Sequence, residues 1–168
     1  KVALVTGAGV GIGRAIAETF AREGAKVVVA DLNTDTANET VAAIVAAGGQ
    51  AAAVACDVAN EEQVAAMVAF AVETYGGLHV ACNSAAVSRG SGPIHGFDKS
   101  VFDQTLELCL TNTFLCMKHE IAHMLENGGG SIVNISSNAS LRGQPYNTAY
   151  AAAKSGVNLL TKSSAAEY

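Results

Sequence analysis

The sequence predicts an α/β fold in which a doubly wound parallel sheet carries helices on both faces. Short apolar runs alternate with longer amphipathic segments along the chain, and this spacing is typical of parallel strands joined by crossover helices. A glycine-rich turn follows the first apolar run and opens the first helix, as in sheets of this kind that bind phosphate groups. We therefore expect a single domain over residues 1–168.

The first half of the chain reads as three strands and three helices in alternation. Residues 1–6 are apolar almost throughout and form a short run, as in a strand buried on both faces. The glycine-rich turn leads into a helix over residues 14–23, and a second apolar strand follows at 26–30. Pairs of glycines end the next two helices. The remaining elements predicted in this half are helices 34–47 and 61–75 and strand 51–56.

The second half continues the alternation. It contains strand 78–82, a polar loop at 88–96, a long helix 98–127, strand 131–136 and a final helix that begins near Tyr150. A right-handed crossover after the fifth strand should deliver a sixth parallel strand, and none follows. We therefore expect a fold that is C-terminally incomplete, with strand 131–136 exposed as an edge.

The composition is that of an acidic globular domain. The net charge of −5 and the pI near 5.3 argue against a nucleic-acid or anionic-membrane surface. The sequence has no long apolar run and no charged-then-apolar leader, so we expect neither a membrane span nor a signal peptide. The four cysteines show no C-x-x-C spacing, which favours the reducing cytoplasm as the location.

The glycine-rich turn predicts a dinucleotide site. Gly7, Gly11, Ile12 and Gly13 lie where backbone can approach a pyrophosphate bound at a helix N-terminus. Asp31 follows the second strand, 18 residues after Gly13, where a carboxylate can bind the adenosine ribose. This carboxylate would accept a hydrogen bond from a free 2′-hydroxyl and repel a 2′-phosphate. Because no Arg or Lys occupies position 10 or 32 to offset that repulsion, we expect NAD rather than NADP.

Polar residues also stand at the carboxyl ends of the other predicted strands. Ligands bind at these ends in open parallel sheets, so we expect the residues there to surround one site. They are Thr6, Asp31, Asp57 with Val58 beside it, Asn83 and Ser137.

Tyr150 and Lys154 form a Tyr-x-x-x-Lys pair, so both side chains project from the same face of the last helix. A free phenol has a pKa of about 10 and is a poor base at pH 7. An ammonium nearby in a partly dry site would stabilise the phenolate. Ser137, thirteen residues upstream of Tyr150, could bind the same substrate oxygen. The motif alone is more often a solvated helix face than a functional pair, but its context favours acid/base catalysis.

Together these motifs resemble those of the short-chain dehydrogenase/reductase family, which has a Rossmann fold. Residues 6–13 match the family's TGxxxGxG turn, and Asp57 matches the acid near the adenine ring. Ser137, Tyr150 and Lys154 match the catalytic residues at the family's spacing, and Asn112 matches the asparagine of the long helix.

The resemblance implies hydride transfer between NAD(H) and a secondary alcohol or ketone. Tyr150 would be the acid/base, Ser137 would orient the substrate oxygen, and Lys154 would stabilise the phenolate and hold the nicotinamide ribose. Asn112 would support a water that relays the proton.

The turn after the fourth strand departs from the family's NNAG pattern. It reads Asn83-Ser84-Ala85-Ala86, so an amide and a glycine are missing. If position 86 requires a positive φ, alanine there costs about 1 kcal/mol or more. Weaker cofactor binding would follow.

Two other functions fit parts of the sequence. His119, Glu120 and His123 form a literal H-E-x-x-H, in which two histidines could bind zinc and the glutamate could act as a base. No third ligand is evident, and two solvated histidines on a helix explain the same pattern. An incomplete chain is also compatible with a non-catalytic fragment that binds NAD or forms oligomers.

On a helical wheel of residues 98–127, one apolar stripe is expected to face the core and a second to face outwards. The outward stripe consists of Val101, Leu108 and Leu115 at heptad spacing. It predicts a homo-dimer or homo-tetramer through this helix, with the Tyr150 helix beside it. The expected core stripe contains Leu106, Leu110, Phe114, Met117, Ile121 and Met124.

Overall fold

The computed structural model describes all 168 residues and contains one parallel sheet of five strands in the order β3-β2-β1-β4-β5. The predicted doubly wound sheet is confirmed, and β5 lies at its edge as expected. The strand order reverses between β1 and β4, which opens a crevice at the carboxyl ends of the strands. The strands are β1 Val2–Thr6, β2 Lys26–Asp31, β3 Gln50–Ala55, β4 Val80–Asn83 and β5 Ser131–Asn134.

The structure has six α-helices, five between strands and one after β5, and none combines the length and apolarity needed to cross a membrane. The predicted long helix 98–127 consists of two α-helices joined by a π-helical turn, Glu107–Thr111. The helices are α1 Gly11–Arg22, α2 Thr34–Ala46, α3 Glu61–Tyr75, α4 Lys99–Leu106, α5 Asn112–Glu126 and α6 Thr148–Glu167.

Each face of the sheet has its own apolar core, because parallel strands are buried on both sides. On one face, Leu4 of β1 packs in a cluster with Met67 of α3 and Cys116 of α5. On the other face, Val29 of β2 packs in a cluster with Ala17 of α1 and with residues of α2. The alternating side chains of β1 and β2 therefore explain why helices cover both faces.

The π-helical turn changes which residues of the long helix point inwards. One such turn adds about one residue, which rotates the following helix by roughly 100° relative to an uninterrupted α-helix. Phe114, expected in the core, is 48% exposed, whereas Leu115, expected outside, is only 8% exposed and belongs to the core. The predicted outward stripe is therefore wrong. Its other members are also directed inwards, since Leu108 lines the crevice and Val101 lies against Gly90.

Side chains cap the starts of three helices but not the start of α1. Asn33, Asn60 and Asp98 accept hydrogen bonds from backbone amides of α2, α3 and α4 respectively. The helix α1 begins after Val10, whose side chain makes no capping bond. The first N–H groups of α1 thus have no side-chain acceptor, and this helix start borders the crevice.

Candidate active site

A crevice of about 490 Å³ opens at the carboxyl ends of the strands. It brings the glycine-rich turn, the ends of β2 and β3, and the start of α6 to one place. Eight of the sequence-predicted site residues are among the 18 that line it: Gly7, Ile12, Gly13, Asp31, Asp57, Val58, Tyr150 and Lys154.

The glycine-rich turn is packed against its neighbours so closely that side chains would not fit. A Cβ atom on Gly13 would lie 2.1 Å from the Gly7 carbonyl oxygen, and one on Gly7 would lie 2.8 Å from the Ala85 Cα. Gly7 and Gly11 also have positive φ values of 63° and 59°. Gly11 itself is exposed and is not among the lining residues, but it shapes the turn that the others form.

Two buried threonines hold this turn in place. The Thr40 hydroxyl of α2 donates to the Ala8 carbonyl at 3.0 Å. The Thr6 hydroxyl accepts from the backbone amides of Ser84 and Ala85, at 3.1 and 3.2 Å. The turn, α2 and the loop after β4 are therefore fixed relative to one another.

The Asp31 carboxylate is fixed at the rim of the crevice by backbone donors. Its Oδ2 accepts from the Gly9 amide at 2.8 Å, and its Oδ1 accepts from the Asn33 amide at 2.9 Å. Leu32 lines the crevice next to it, and Lys154 is the only cationic side chain in the lining. The rim of the crevice therefore carries a carboxylate acceptor, and neither sequence neighbour of Asp31 is a cation.

Lys154 is buried, with 3% of its surface exposed, and its Nζ donates to the Ile135 carbonyl at 2.8 Å. The same Nζ lies 5.9 Å from the centroid of the Tyr150 ring. Burial lowers the pKa of the Lys154 ammonium because desolvation disfavours its charge, and the Cys109 thiol acts in the opposite direction. The site thus holds a cation beside a phenol in a partly dry cavity.

Ser137 lies just outside the lining residues, whereas its neighbour Ser136 is one of them. The Ser137 hydroxyl accepts from the Ala139 amide at 3.2 Å and caps the short turn Asn138–Ser140. The Ser136 hydroxyl donates to the Lys154 carbonyl at 3.2 Å. The role of Ser137 in orienting a substrate oxygen stays a prediction.

Asn112 is buried behind the crevice and does not line it. Its amide nitrogen donates to the carbonyls of Ala85 and Leu108, at 2.8 and 2.9 Å, and its amide oxygen accepts from Thr113. Asn112 therefore ties the loop after β4 to the π-helical turn. Its role in a proton relay stays a prediction.

Asn83 also points away from the crevice. Its side chain is buried and donates to Glu120 and Asn134, at 3.0 and 2.9 Å. Asn83 therefore ties the end of β4 to α5 and β5, and its contribution to cofactor binding stays a prediction.

Cys109 is not among the site residues predicted from the sequence, because a free cysteine is typical of a buried core position. It lies buried in the π-helical turn, and its thiol donates to the Val87 carbonyl at 3.3 Å. Burial raises the pKa of this thiol, and the charge of Lys154 opposes that effect. The two residues therefore lie close enough to influence each other.

The strain expected at Ala86 does not arise. Tyr146 is the one non-glycine residue with a positive φ, so Ala86 adopts an ordinary backbone conformation. Ser84, Ala85 and Ala86 all line the crevice. The departure from NNAG thus changes the lining without straining the backbone.

The H-E-x-x-H residues do not converge. Glu120 is fully buried and contacts Asn83, whereas His119 Nε2 lies 3.3 Å from Glu61 at the surface. His123 contacts Asn127. The structure contains no cluster of three or more His, Cys, Asp or Glu side chains that could hold a metal ion.

Comparison with known proteins identifies the family. The sequence profile described as short chain dehydrogenase matches residues 1–168. The chain belongs to the short-chain dehydrogenase/reductase family. A solved short chain dehydrogenase from Mycobacterium smegmatis superimposes on 99% of this family member with a TM-score of 0.96 and 36% identity, and 70% of that chain is covered.

Two curated relatives of this short-chain dehydrogenase/reductase match its whole length. The 2,5-dichloro-2,5-cyclohexadiene-1,4-diol dehydrogenase of Sphingobium indicum is 45% identical over 169 residues, which cover 66% of that protein. The cyclohexanol dehydrogenase of an Acinetobacter species is 42% identical over 168 residues, which cover 67% of it. The chain therefore spans about two thirds of the length of these relatives.

Gly13→Ala should destabilise the fold by about 1–3 kcal/mol, because the added Cβ forces the turn away from the Gly7 carbonyl. Urea unfolding measures this effect. Gly143→Ala is the matched control, since a Cβ there meets no atom within 4 Å. If the two variants unfold at the same urea concentration, the close packing of the turn has no energetic role.

Proposed function

We propose that the protein is an NAD-dependent oxidoreductase that transfers a hydride between NAD(H) and a secondary alcohol or ketone. The observation that carries this proposal is the shared crevice of Tyr150, Lys154, Asp31 and the glycine-rich turn. The names of the two relatives support it, since they are dehydrogenases of a cyclic diol and of cyclohexanol.

The residues present suit a dinucleotide. The uncapped start of α1 offers backbone N–H groups and the positive end of the helix dipole to a pyrophosphate. Asp31 offers acceptors to an adenosine ribose, and Asp57 and Val58 lie at the next strand end. The cofactor, when bound, would supply or accept the hydride.

In this proposal Tyr150 exchanges a proton with the substrate oxygen. The Lys154 ammonium, fixed by the Ile135 carbonyl, stabilises the phenolate form electrostatically. Ser137 binds the same substrate oxygen, and Asn112 holds the loop that borders the crevice. These roles divide the reaction between an acid/base, a fixed cation and a hydrogen-bonding serine.

The four cysteines are all unpaired thiols in the structure. Unpaired, buried thiols are compatible with a reducing compartment, where disulfides are rare. We propose the cytoplasm as the location on this basis.

Tyr150→Phe should lower turnover by about 10²–10⁴-fold, the range for loss of an acid/base group, while leaving NADH binding unchanged. Absorbance at 340 nm with NAD and cyclohexanol as probe measures turnover, and fluorescence titration measures NADH binding. Tyr146→Phe is the control, since Tyr146 is exposed four residues upstream. Full activity of Tyr150→Phe contradicts the role. NADH binding without turnover in the unaltered chain supports the non-catalytic alternative.

The unaltered protein should bind NADH more tightly than NADPH by more than about tenfold, because the Asp31 carboxylate repels a 2′-phosphate. Asp31→Ser should bring the ratio of the NADPH and NADH dissociation constants closer to one. Asp35→Ser removes a similar charge from the exposed first turn of α2 and should leave the ratio unchanged. Equal affinity of the unaltered protein for both cofactors would refute the preference for NAD.

We propose that a second copy of the chain covers an apolar groove between the long helix and α6. Phe114 and Leu159 are 48% and 67% exposed there, with Leu110 and Leu160 beside them. This groove replaces the outward stripe expected from the wheel. Two adjoining helices that expose apolar residues indicate an interaction surface.

Leu159→Lys should shift the protein from dimer or tetramer to monomer at micromolar concentration, since burial of an ammonium in an apolar interface is unfavourable. Sedimentation velocity measures the state. Val45→Lys, at a residue of α2 that is 55% exposed, is the control and should assemble normally. A monomeric unaltered chain rules out the interface.

A further inference from the structure

A chain of side-chain hydrogen bonds, buried at Glu120 and Asn83 and half-buried at Asn134 and Thr161, lies behind the crevice. Glu120 of α5 accepts at Oε2 from the Asn83 amide of β4 at 3.0 Å. The same Asn83 nitrogen donates to the Asn134 side chain of β5 at 2.9 Å, and Asn134 donates to Thr161 of α6 at 2.9 Å. Four elements are therefore joined through side chains that the proposed reaction does not use.

Glu120 is fully buried and has no cation to balance it. Its second oxygen, Oε1, and the Asn83 Oδ1 are both buried without a hydrogen-bond partner. Both atoms are acceptors when the carboxylate is ionised, so each lacks a donor. Protonation of Glu120 would remove the buried charge and add one donor to this acceptor-rich pair.

The groups around Glu120 favour the protonated form. Burial raises the pKa of Glu120 to about 7, and the hydrogen bond from Asn83 acts in the opposite direction. The titratable groups that respond to its charge are the thiols of Cys82 on β4 and Cys116 on α5. Burial raises the pKa of both thiols, and the charge of Glu120 raises it further.

No other charged group pairs with Glu120. His123, three residues on in α5, has a buried Nε2 without a hydrogen-bond partner and forms no ion pair with Glu120. On the α3 side, Glu61 is paired at the surface with Lys118 and His119. Asn134 and Thr161, which complete the network from β5 and α6, do not titrate.

The network is connected to the crevice through the backbone. Asn83 is the last residue of β4, and its carbonyl accepts from the Ile135 amide at 3.0 Å. The Ile135 carbonyl in turn accepts from Lys154 Nζ. Ser84, which follows Asn83, lines the crevice. Hydrogen bonds thus link Glu120 to Lys154 through two intervening residues, Asn83 and Ile135.

We propose that Glu120 is a positioning residue whose protonation holds the carboxyl ends of β4 and β5, and with them Lys154, in place at the crevice. Ionisation of Glu120 loosens this contact, so the crevice is most firmly held on the acidic side of neutrality. The expected loosening of the strand ends does not depend on the proposed function. Any effect on NADH binding rests on the proposed function.

The sign of the pH dependence follows from proton linkage. The pKa of Glu120 in the folded protein, about 7, exceeds the ordinary value of 4.5, so the folded state binds more protons between these values. The stability that Glu120 contributes is fully present below the ordinary value and is lost as the pH rises through about 7.

The test compares the unaltered protein with Glu120→Gln, which keeps an uncharged polar side chain of the same shape. The stability of the unaltered protein relative to Glu120→Gln should fall as the pH rises from about 4.5 to above 7, as measured by urea unfolding. Glu126→Gln, at an exposed position of the same helix, should show no such trend. A difference between the unaltered protein and Glu120→Gln that is constant with pH overturns the proposal.

Hydrogen exchange tests the link to the crevice without cofactor. At pH 8, amides of residues 83–87 and 131–137 should exchange several-fold faster in the unaltered protein than in Glu120→Gln, and this difference should be smaller at pH 6 and vanish towards about pH 4.5. Equal exchange at both pH values overturns the positioning role. If Glu120→Gln does not fold, a ¹³C-carboxyl titration of the unaltered protein decides, and a Glu120 signal that titrates near 4.5 overturns the proposal.

NADH titration separates this inference from the proposed function. We expect NADH affinity to fall from pH 6 to pH 8 in the unaltered protein and to remain level in Glu120→Gln. If the exchange difference appears but no variant binds NADH, the inference stands and the proposed function fails.

Discussion

The site depends on the close approach of backbone at the carboxyl ends of β1 and β4. These strands pair in register up to Thr6 and Asn83, and then the chain leaves them in different directions. The chain can turn at residue 7 only because this residue is glycine, since a Cβ there would collide with Ala85. Gly13 meets the Gly7 carbonyl in the same way, so α1 starts directly at the crevice. The position of the crevice is therefore determined by backbone geometry, and the side chains determine the chemistry of its lining.

The buried ammonium of Lys154 is the one positive charge in the crevice lining, which also contains the carboxylates of Asp31 and Asp57. Buried charges in proteins are usually paired with an opposite charge, because desolvation is costly. Lys154 has no carboxylate partner and makes one hydrogen bond, to the Ile135 carbonyl. Its charge is consequently not neutralised within the protein, and the nearest aromatic neighbour on its helix face is Tyr150. A cation held in this way stabilises negative charge that develops on a phenol or on a bound oxygen.

The alternation of apolar runs was enough to predict the fold class, and the strand ends with the glycine-rich turn and the Tyr-x-x-x-Lys pair were enough to predict eight of the 18 residues that line the crevice. Both signals are local and repeat along the chain. The orientation of Asn83 was not predictable in this way, because a residue type at a strand end does not say which side of the sheet it faces. The face of the long helix that is buried could not be predicted from periodicity either. A wheel assumes an uninterrupted α-helix, whereas the π-helical turn adds one residue, so that Leu115 is buried and Phe114 is exposed.

Glu120 and Lys154 present the same physical problem with opposite sign. Each is buried and lacks an ion partner. Burial raises the pKa of Glu120 and lowers the pKa of Lys154, so it favours the neutral form of both side chains. A fold selected for stability alone would pair these charges or replace both with apolar residues, because unpaired buried charge is destabilising. Instead, the ends of β4 and β5 stand between them, with the Asn83 carbonyl bonded to the Ile135 amide. Their separation leaves Lys154 directed at the crevice and Glu120 behind it, which is the arrangement required if one acts on ligands and the other on the strand ends.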